Sequence, residues 1–391
     1  MEWRIPLSDL AFGPEEEQAA LDVIRRRWLT MGSVTQELER QFSKFVGSKH
    51  ALAVSNGTHA LHLACLALGI GPGDEVIVPS LTFVASANAV LYTSAEVRFA
   101  DIIGTSDLNI SPEDIERQIT SRTKAILVVH YGGYPCRMAE ITELAQHYGL
   151  SVIEDAAHAP GAFLAGRALG TWGDVGCFSF FSNKNLATGE GGMVITDRDD
   201  IAEKVRIMRS HGMTTLTWDR HRGHAHTYDV VALGNNYRID EIRAALGLVQ
   251  LKKLEENNTR RQAITERYRR GILEFTNSGI GLPFIESPGK PSYHIFPVLL
   301  PEDVDRQVFM DLMRQEGVQT SIHYPPIHKF TYYQQRYPDV YLPRTEAVAS
   351  REVTLPLYPA MKDEDVDYVL SVLDEVMLQI RVNASRKEVY L

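Results

Sequence analysis

The chain has 391 residues, 44% hydrophobic and 23% charged, a composition that suits a globular protein with a large core and excludes a fibrous or low-complexity chain. Its formal net charge of −10 argues against nucleic acid as a partner but leaves room for a local basic pocket around an anionic substrate. The three cysteines, Cys65, Cys136 and Cys177, have neither metal-ligand nor disulfide spacing, so no metal site and a reducing cytoplasm are expected.

The N-terminus MEWRIPLSDL lacks the apolar centre of a signal peptide, and no run is long enough to span a bilayer, so no membrane contact is expected. Pro14 to Trp28 predicts a helix, with Pro14 in its first turn and Glu15 to Glu17 at its positive end. After the turn Leu29 to Gly32, a second helix is expected from about Thr35 to Val46, with Gly47 as its stop. A short strand, Ala51 to Val54, then runs into Ser55-Asn56-Gly57-Thr58 and a helix to about Leu68. A strand, small polar residues and a helix together place free N–H groups where a phosphate can sit.

Glu75 to Pro79 predicts a buried strand, and Leu81-Thr82-Phe83-Val84 leads into another helix. Strand-like Glu96 to Ala100, Ala125 to Val129 and Ser151 to Ile153 alternate with helices near Pro112 to Gln118 and Met138 to His147. Apolar strands alternating with amphipathic helices imply an α/β fold, a mainly parallel sheet sandwiched by helices. Strand-like Cys177 to Phe181 ends in a polar turn carrying Lys184, and Gly189, Gly191 and Gly192 precede a further strand, Met193 to Thr196.

A helix from Ile201 to Arg209 is followed by a polar loop from Gly212 to Leu233 that holds Arg220, His221, Arg222, His224 and His226. Loops of that length inside a compact domain often carry function. Arg238 to Asn257 predicts a long helix closing a large domain, residues 1–257, and residues 258–391 are expected to form a smaller α/β domain. Its expected elements are strand Tyr293 to Leu299, helix Asp303 to Gln315, a terminal helix from about Glu364 to Gln379, and a loose end from Asn383.

Two residues carry most of the chemical signal. Asp155 follows the apolar run Val152-Ile153, at the carboxyl end of a strand, where α/β folds place ligand contacts. Lys184 lies 29 residues later. An acid to hold a pyridinium nitrogen and a lysine to form a Schiff base are the protein groups that pyridoxal phosphate (PLP) needs. Taken singly, the lysine could be a solvated charge and the aspartate a helix cap.

Asp155-Ala156-Ala157-His158, Phe178-Ser179-Phe180, Asn183-Lys184-Asn185, Gly189-Glu190-Gly191-Gly192 and Gly234-Asn235-Asn236-Tyr237-Arg238 together resemble the DegT/DnrJ/EryC1/StrS family, from Ile5 to about Met377. That family consists of PLP-dependent sugar aminotransferases of fold-type I. The resemblance implies that Lys184 bonds the cofactor and moves the proton, and that Asp155 holds the ring nitrogen. It implies Phe83 stacked on the ring, His158 beside the ring hydroxyl, and Gly57, Thr58 and Ser179 on the phosphate. Asn56 departs from the usual serine there.

Asn236 matches the asparagine that reaches the phosphate from the neighbouring subunit, so a homodimer with shared sites is expected. Met31, Arg222, Arg238, His323 and His328 are implied substrate contacts, the last two from the segment His323-Tyr324-Pro325-Pro326-Ile327-His328. The implied substrates are a keto-sugar nucleotide and L-glutamate, or L-glutamine. A keto-cyclitol is a close variant. A PLP-dependent sugar dehydratase is disfavoured, because relatives of that kind carry histidine where Lys184 stands. A non-catalytic PLP-binding regulator would be marked by loss of the lysine or the aspartate, and both are present.

Overall fold

The structure is a computed structural model that describes residues 3–215, 227–274 and 279–389, with side chains to residue 383. The strands of the first half are β1 (His50–Val54), β2 (Glu75–Pro79), β3 (Glu96–Ala100), β4 (Thr123–Val129) and β5 (Ser151–Asp155). A two-stranded ribbon follows, β6 (Phe163–Leu164) and β7 (Arg167–Ala168), then β8 (Val175–Ser179) and β9 (Gly192–Thr196). Among the described residues these build one seven-stranded sheet in the order β1-β9-β8-β5-β4-β2-β3. β9 alone runs antiparallel to its neighbours, β1 and β8.

The sheet is mainly parallel, as the alternating pattern implies. Its strands are buried along nearly their whole length because helices cover both faces. The covering helices include α1 (Pro14–Arg26), α2 (Ser33–Val46), α3 (Gly57–Ala67), α4 (Ala85–Leu91), α5 (Pro112–Gln118), α6 (Met138–Tyr148) and α7 (Asp199–Met208). No helix among the described residues is long and apolar enough to cross a membrane.

The longest helix, α8, differs from expectation. It spans Glu241–Glu274, starting later than Arg238 and running well past Asn257, so residue 257 lies inside a continuous helix. The sequence after Asn257 looks too polar to continue, yet Asn258, Arg261, Thr265, Tyr268 and Ile272 carry a buried stripe at spacings of three and four. Arg261 is tolerated there because its guanidinium donates to the carbonyls of His294 and Leu357, at 3.2 and 2.9 Å.

The second half of α8 joins strands Phe296–Leu299 and Glu352–Leu355, paired antiparallel, and helix Arg306–Gln315 around another body of core. The strand expected from Tyr293 starts only at Phe296. The terminal helix, Asp363–Val389, takes in most of the segment expected as a loose end.

One carboxylate ties the N-terminal segment to α8. Helix α2 begins after Gly32, which has no side chain to cap it. Glu241 does the capping from 209 residues away. Its Oε1 accepts from the Gly32 and Thr35 amides at 2.8 and 2.9 Å and from Thr35 Oγ1 at 2.6 Å, while Oε2 accepts from the Val34 amide at 2.8 Å. A buried carboxylate on a helix N-terminus is stabilised by those donors and by the helix dipole. Glu241→Gln keeps the shape and removes the charge, and should lower stability by about 1.5–3 kcal/mol. Thermal unfolding at fixed protein and cofactor concentration checks this, and an unchanged midpoint would show that the cap contributes nothing.

Candidate active site

The parallel register of β5 and β8 places Asp155 opposite Cys177 at the carboxyl edge of the sheet. β8 ends at Ser179, and the next turn returns Lys184 toward that edge, with the Lys184 amide donating to the Phe181 carbonyl at 2.9 Å. A pocket of about 400 Å³ opens there. Gly57, Thr58, Phe83, Asp155, His158, Ser179, Lys184 and His323 all line it, bringing together expected site residues spread over 267 positions of chain (57 to 323).

Other expected residues lie elsewhere. His328 is turned inward, with Nδ1 on Ser80 Oγ at 2.7 Å and Nε2 on Glu346 Oε1 at 3.1 Å, so it braces this segment and has no free nitrogen for a substrate. Met31 is buried beside the α2 cap. Arg238 donates to Ser210 Oγ at 3.1 Å. Asn236 is exposed, pairs through its backbone with Ser210, and lines no part of this chain's pocket. Arg222 lies outside the described residues, as do Arg220, His221, His224 and His226.

The Asp155 carboxylate is held from two sides. Ser86 Oγ donates to Oδ2 at 2.7 Å and the Ala157 amide to Oδ1 at 3.1 Å. Burial pushes this carboxyl up from its ordinary value, and the two donors and the Lys184 charge offset only part of that rise. Loss of water around the Lys184 amine outweighs the attraction of Asp155 and pushes the lysine down to about 8.

His158 is buried and held well below its usual range by that burial and by Lys184. Its Nδ1 accepts from the Gly132 amide at 3.2 Å, so Nε2 carries the proton and donates to Tyr324 Oη at 2.9 Å. His323 is pushed down to about 4, first by burial and then by Lys184. Its ring bonds Thr354 Oγ1 at 2.8 Å.

The end of the pocket at α3 is equally specific in shape. Helix α3 starts at Gly57, whose amide and that of Thr58 have no acceptor within the helix. Asn56 caps the helix, its Oδ1 accepting from the His59 amide at 2.8 Å, so its departure from serine is accommodated. A Cβ on Gly57 would stand 2.8 Å from Ser179 Cβ, so only glycine lets α3 approach β8 this closely. Phe83 is 57% exposed and faces the pocket, which a packed core phenylalanine would not do.

These residues fit PLP. The free amides of α3 beside Ser179 suit a dianion, Asp155 suits a ring N–H, and Asn183 Oδ1 lines the pocket without a hydrogen-bond partner.

The sequence matches the DegT/DnrJ/EryC1/StrS aminotransferase family over residues 11–374. The chain belongs to this family. It is an aminotransferase. The spore coat polysaccharide biosynthesis protein SpsC of Bacillus subtilis is 39% identical over 380 residues, covering 95% of this chain and 97% of SpsC.

Helicobacter pylori PseC, an aminotransferase involved in the biosynthesis of pseudoaminic acid, is 28% identical, with a TM-score of 0.88 over 97% of this chain and 100% of its own. Bacillus subtilis NtdA, solved with its cofactor PMP bound, is 32% identical, with a TM-score of 0.83 over 94% of this chain and 83% of its own.

Sequence reasoning missed Ser86, Asn185 as a structural partner, His294 and Tyr324. Ser86 sits in a run of small residues with no polar pattern, and His294 falls within a stretch that looks like alternating strand. Tyr324 lies in the segment His323 to His328, where nothing local marks it out. The low lysine value gives a direct test. Acylation of Lys184 in the cofactor-free chain follows the neutral amine, so it should rise through a midpoint at about pH 8. A midpoint at 10.5, the unperturbed value, would show the amine to be fully hydrated.

Proposed function

We propose that this aminotransferase uses PLP to move an amino group from L-glutamate, or L-glutamine, to a keto sugar carried on a nucleotide. The observation that carries the reading is the Lys184 amine opposite Asp155 in a pocket whose far end suits a phosphate. The similarity to SpsC, named for polysaccharide biosynthesis, supports a sugar substrate. When bound, the cofactor supplies an aldehyde carbon for amine exchange and a ring that takes up the electron pair left by a departing proton.

The chain supplies the rest. At pH 7.5 a lysine titrating at about 8 is neutral in roughly a quarter of molecules, against ~0.1% for a solvated one. A neutral Lys184 amine can bond the cofactor's carbonyl carbon, and once released can carry a proton from the donor's α-carbon. The Asp155 carboxylate, held by Ser86 and Ala157, would take the ring nitrogen's N–H and favour its protonated form. Gly57, Thr58 and Ser179 would hold the phosphate. Val129, Ala85 and Cys177 add apolar lining to the pocket.

In this reading the working unit is a homodimer. Asn236 is exposed and away from its own pocket, which leaves it free to reach the phosphate in a second copy. Met31 and Arg238, also outside their own pocket, would border the sugar in the same neighbouring site. The test is a panel of keto-sugar nucleotides with glutamate, scored by mass for the amino sugar. At least one member should be converted, and conversion should be lost in Lys184→Ala and in Asn236→Asp. Co-expressing those two variants should restore part of it, since one site of a mixed dimer carries neither change. No conversion of any sugar alongside turnover of simple keto acids would reject the sugar assignment. Absence of recovery, with Asn236→Asp alone impaired, would confine each site to one chain.

A further inference from the structure

The Lys184 amine has a ring nitrogen within reach, His294 Nε2 at 3.4 Å. The polarity of that contact is fixed from several residues away. Asn258 Nδ2 donates to the Pro160 carbonyl at 2.9 Å, which turns Asn258 Oδ1 toward Asn185. Asn185 Nδ2 donates to that oxygen at 2.8 Å and to the Ser292 carbonyl at 2.7 Å. Only Asn185 Oδ1 is then left to face His294 Nδ1, at 3.0 Å. An amide oxygen can only accept, so Nδ1 carries the ring proton and Nε2 is bare. Two backbone carbonyls therefore dictate, through two asparagines, which way the histidine is protonated.

The ring cannot escape this arrangement by taking a second proton. His294 is 4% exposed. Burial holds it well below its usual range, and Lys184, His158, Arg261 and His323 around it act in the same direction. The His158 ring packs against it at 4.4 Å between centroids. Arg261, from α8, donates to the His294 carbonyl at 3.2 Å and pins the backbone. The packing is tight on the far side too, where a Cβ on Gly161 would stand 2.6 Å from Asn258 Nδ2.

We propose that His294 is a positioning residue for Lys184: its Nε2, kept bare by Asn185 and Asn258, takes one amine N–H and so holds the nitrogen in place with its lone pair turned away from the ring. A neutral amine has two hydrogens and one lone pair, and rotation about Cε–Nζ scatters that lone pair over three directions. Holding one hydrogen on His294 anchors the nitrogen and removes the orientation in which the lone pair faces the ring, leaving the two that do not. The histidine exchanges no proton with the lysine. This inference rests on Lys184 being the reacting amine.

The test uses the full chain stripped of cofactor and mixed with saturating PLP, following the growth of covalent lysine adduct by absorbance. Saturation separates bond formation from phosphate binding. His294→Phe, which fills the space without an acceptor, should form the adduct about tenfold more slowly, the worth of one hydrogen bond. His294→Gln, whose amide oxygen can stand near the place of Nε2, should recover to within about threefold of wild type.

A wild-type rate in His294→Phe, or equal slowing in both variants, would overturn the proposal, the second because only bulk would then matter. Adduct in a parallel Lys184→Ala sample would instead overturn the assignment of Lys184, and this inference with it. If His294→Phe does not fold, 15N spectra of the histidine-labelled wild-type chain decide the point. The His294 ring, assigned by its loss in His294→Gln, should show a protonated Nδ1 and a bare Nε2, and the opposite tautomer would refute the proposal.

Discussion

An amine and a carboxylate share one pocket at the carboxyl edge of the sheet, and the surrounding structure settles how each behaves. Desolvation disfavours both charges, while their proximity favours both. Desolvation wins at both groups, pushing Asp155 up and Lys184 down. Asp155 keeps two hydrogen-bond donors, from Ser86 and from the Ala157 amide, which support its ionised form. Among the described residues the Lys184 amine has only a long contact to a neutral ring nitrogen, and desolvation brings it to about 8. The pocket thus holds a carboxyl whose ionised form two donors and the lysine support against burial, and an amine that is free of its proton for a useful fraction of the time, which amine exchange requires.

The sheet makes this pairing possible. β5 and β8 are parallel neighbours, so Asp155 and the turn after Ser179 emerge at the same edge. The antiparallel strand β9 returns beside β8, and its first residue, Gly192, passes so close to Asn56 that a Cβ would stand 2.7 Å from the Asn56 carbonyl carbon. The start of α3, the phosphate end and the lysine turn are therefore packed on one another. Around them, polar groups are oriented through chains that finish on backbone carbonyls, including Asn258 on Pro160 and Asn185 on Ser292. Such fully satisfied networks specify one geometry, because any flip leaves a buried donor or acceptor unpaired.

Much of this was legible in the sequence where the signal is local. The alternation of apolar strands and amphipathic helices gave the mainly parallel sheet, and strand ends such as Glu96–Ala100 need only a few residues to be recognised. Asp155, Lys184 and the Ser55–Thr58 turn stand out because each interrupts an apolar run at a strand end. The features that escaped depend on partners far away in the chain. Glu241 caps a helix 209 residues earlier, and His294 meets Lys184 across 110 residues. Neither leaves a local pattern. The extension of α8 was hidden because its buried stripe uses Asn258, Arg261 and Thr265, residues whose burial is acceptable only with tertiary partners.

The central claim is that the Lys184 amine is the group that bonds the cofactor. Reduction of the PLP-loaded enzyme with borohydride, followed by proteolysis and mass spectrometry, tests it most directly. The account predicts one phosphopyridoxyl increment per chain, on the peptide and residue of Lys184. An increment on any other lysine, or a fully loaded enzyme with none, would contradict it.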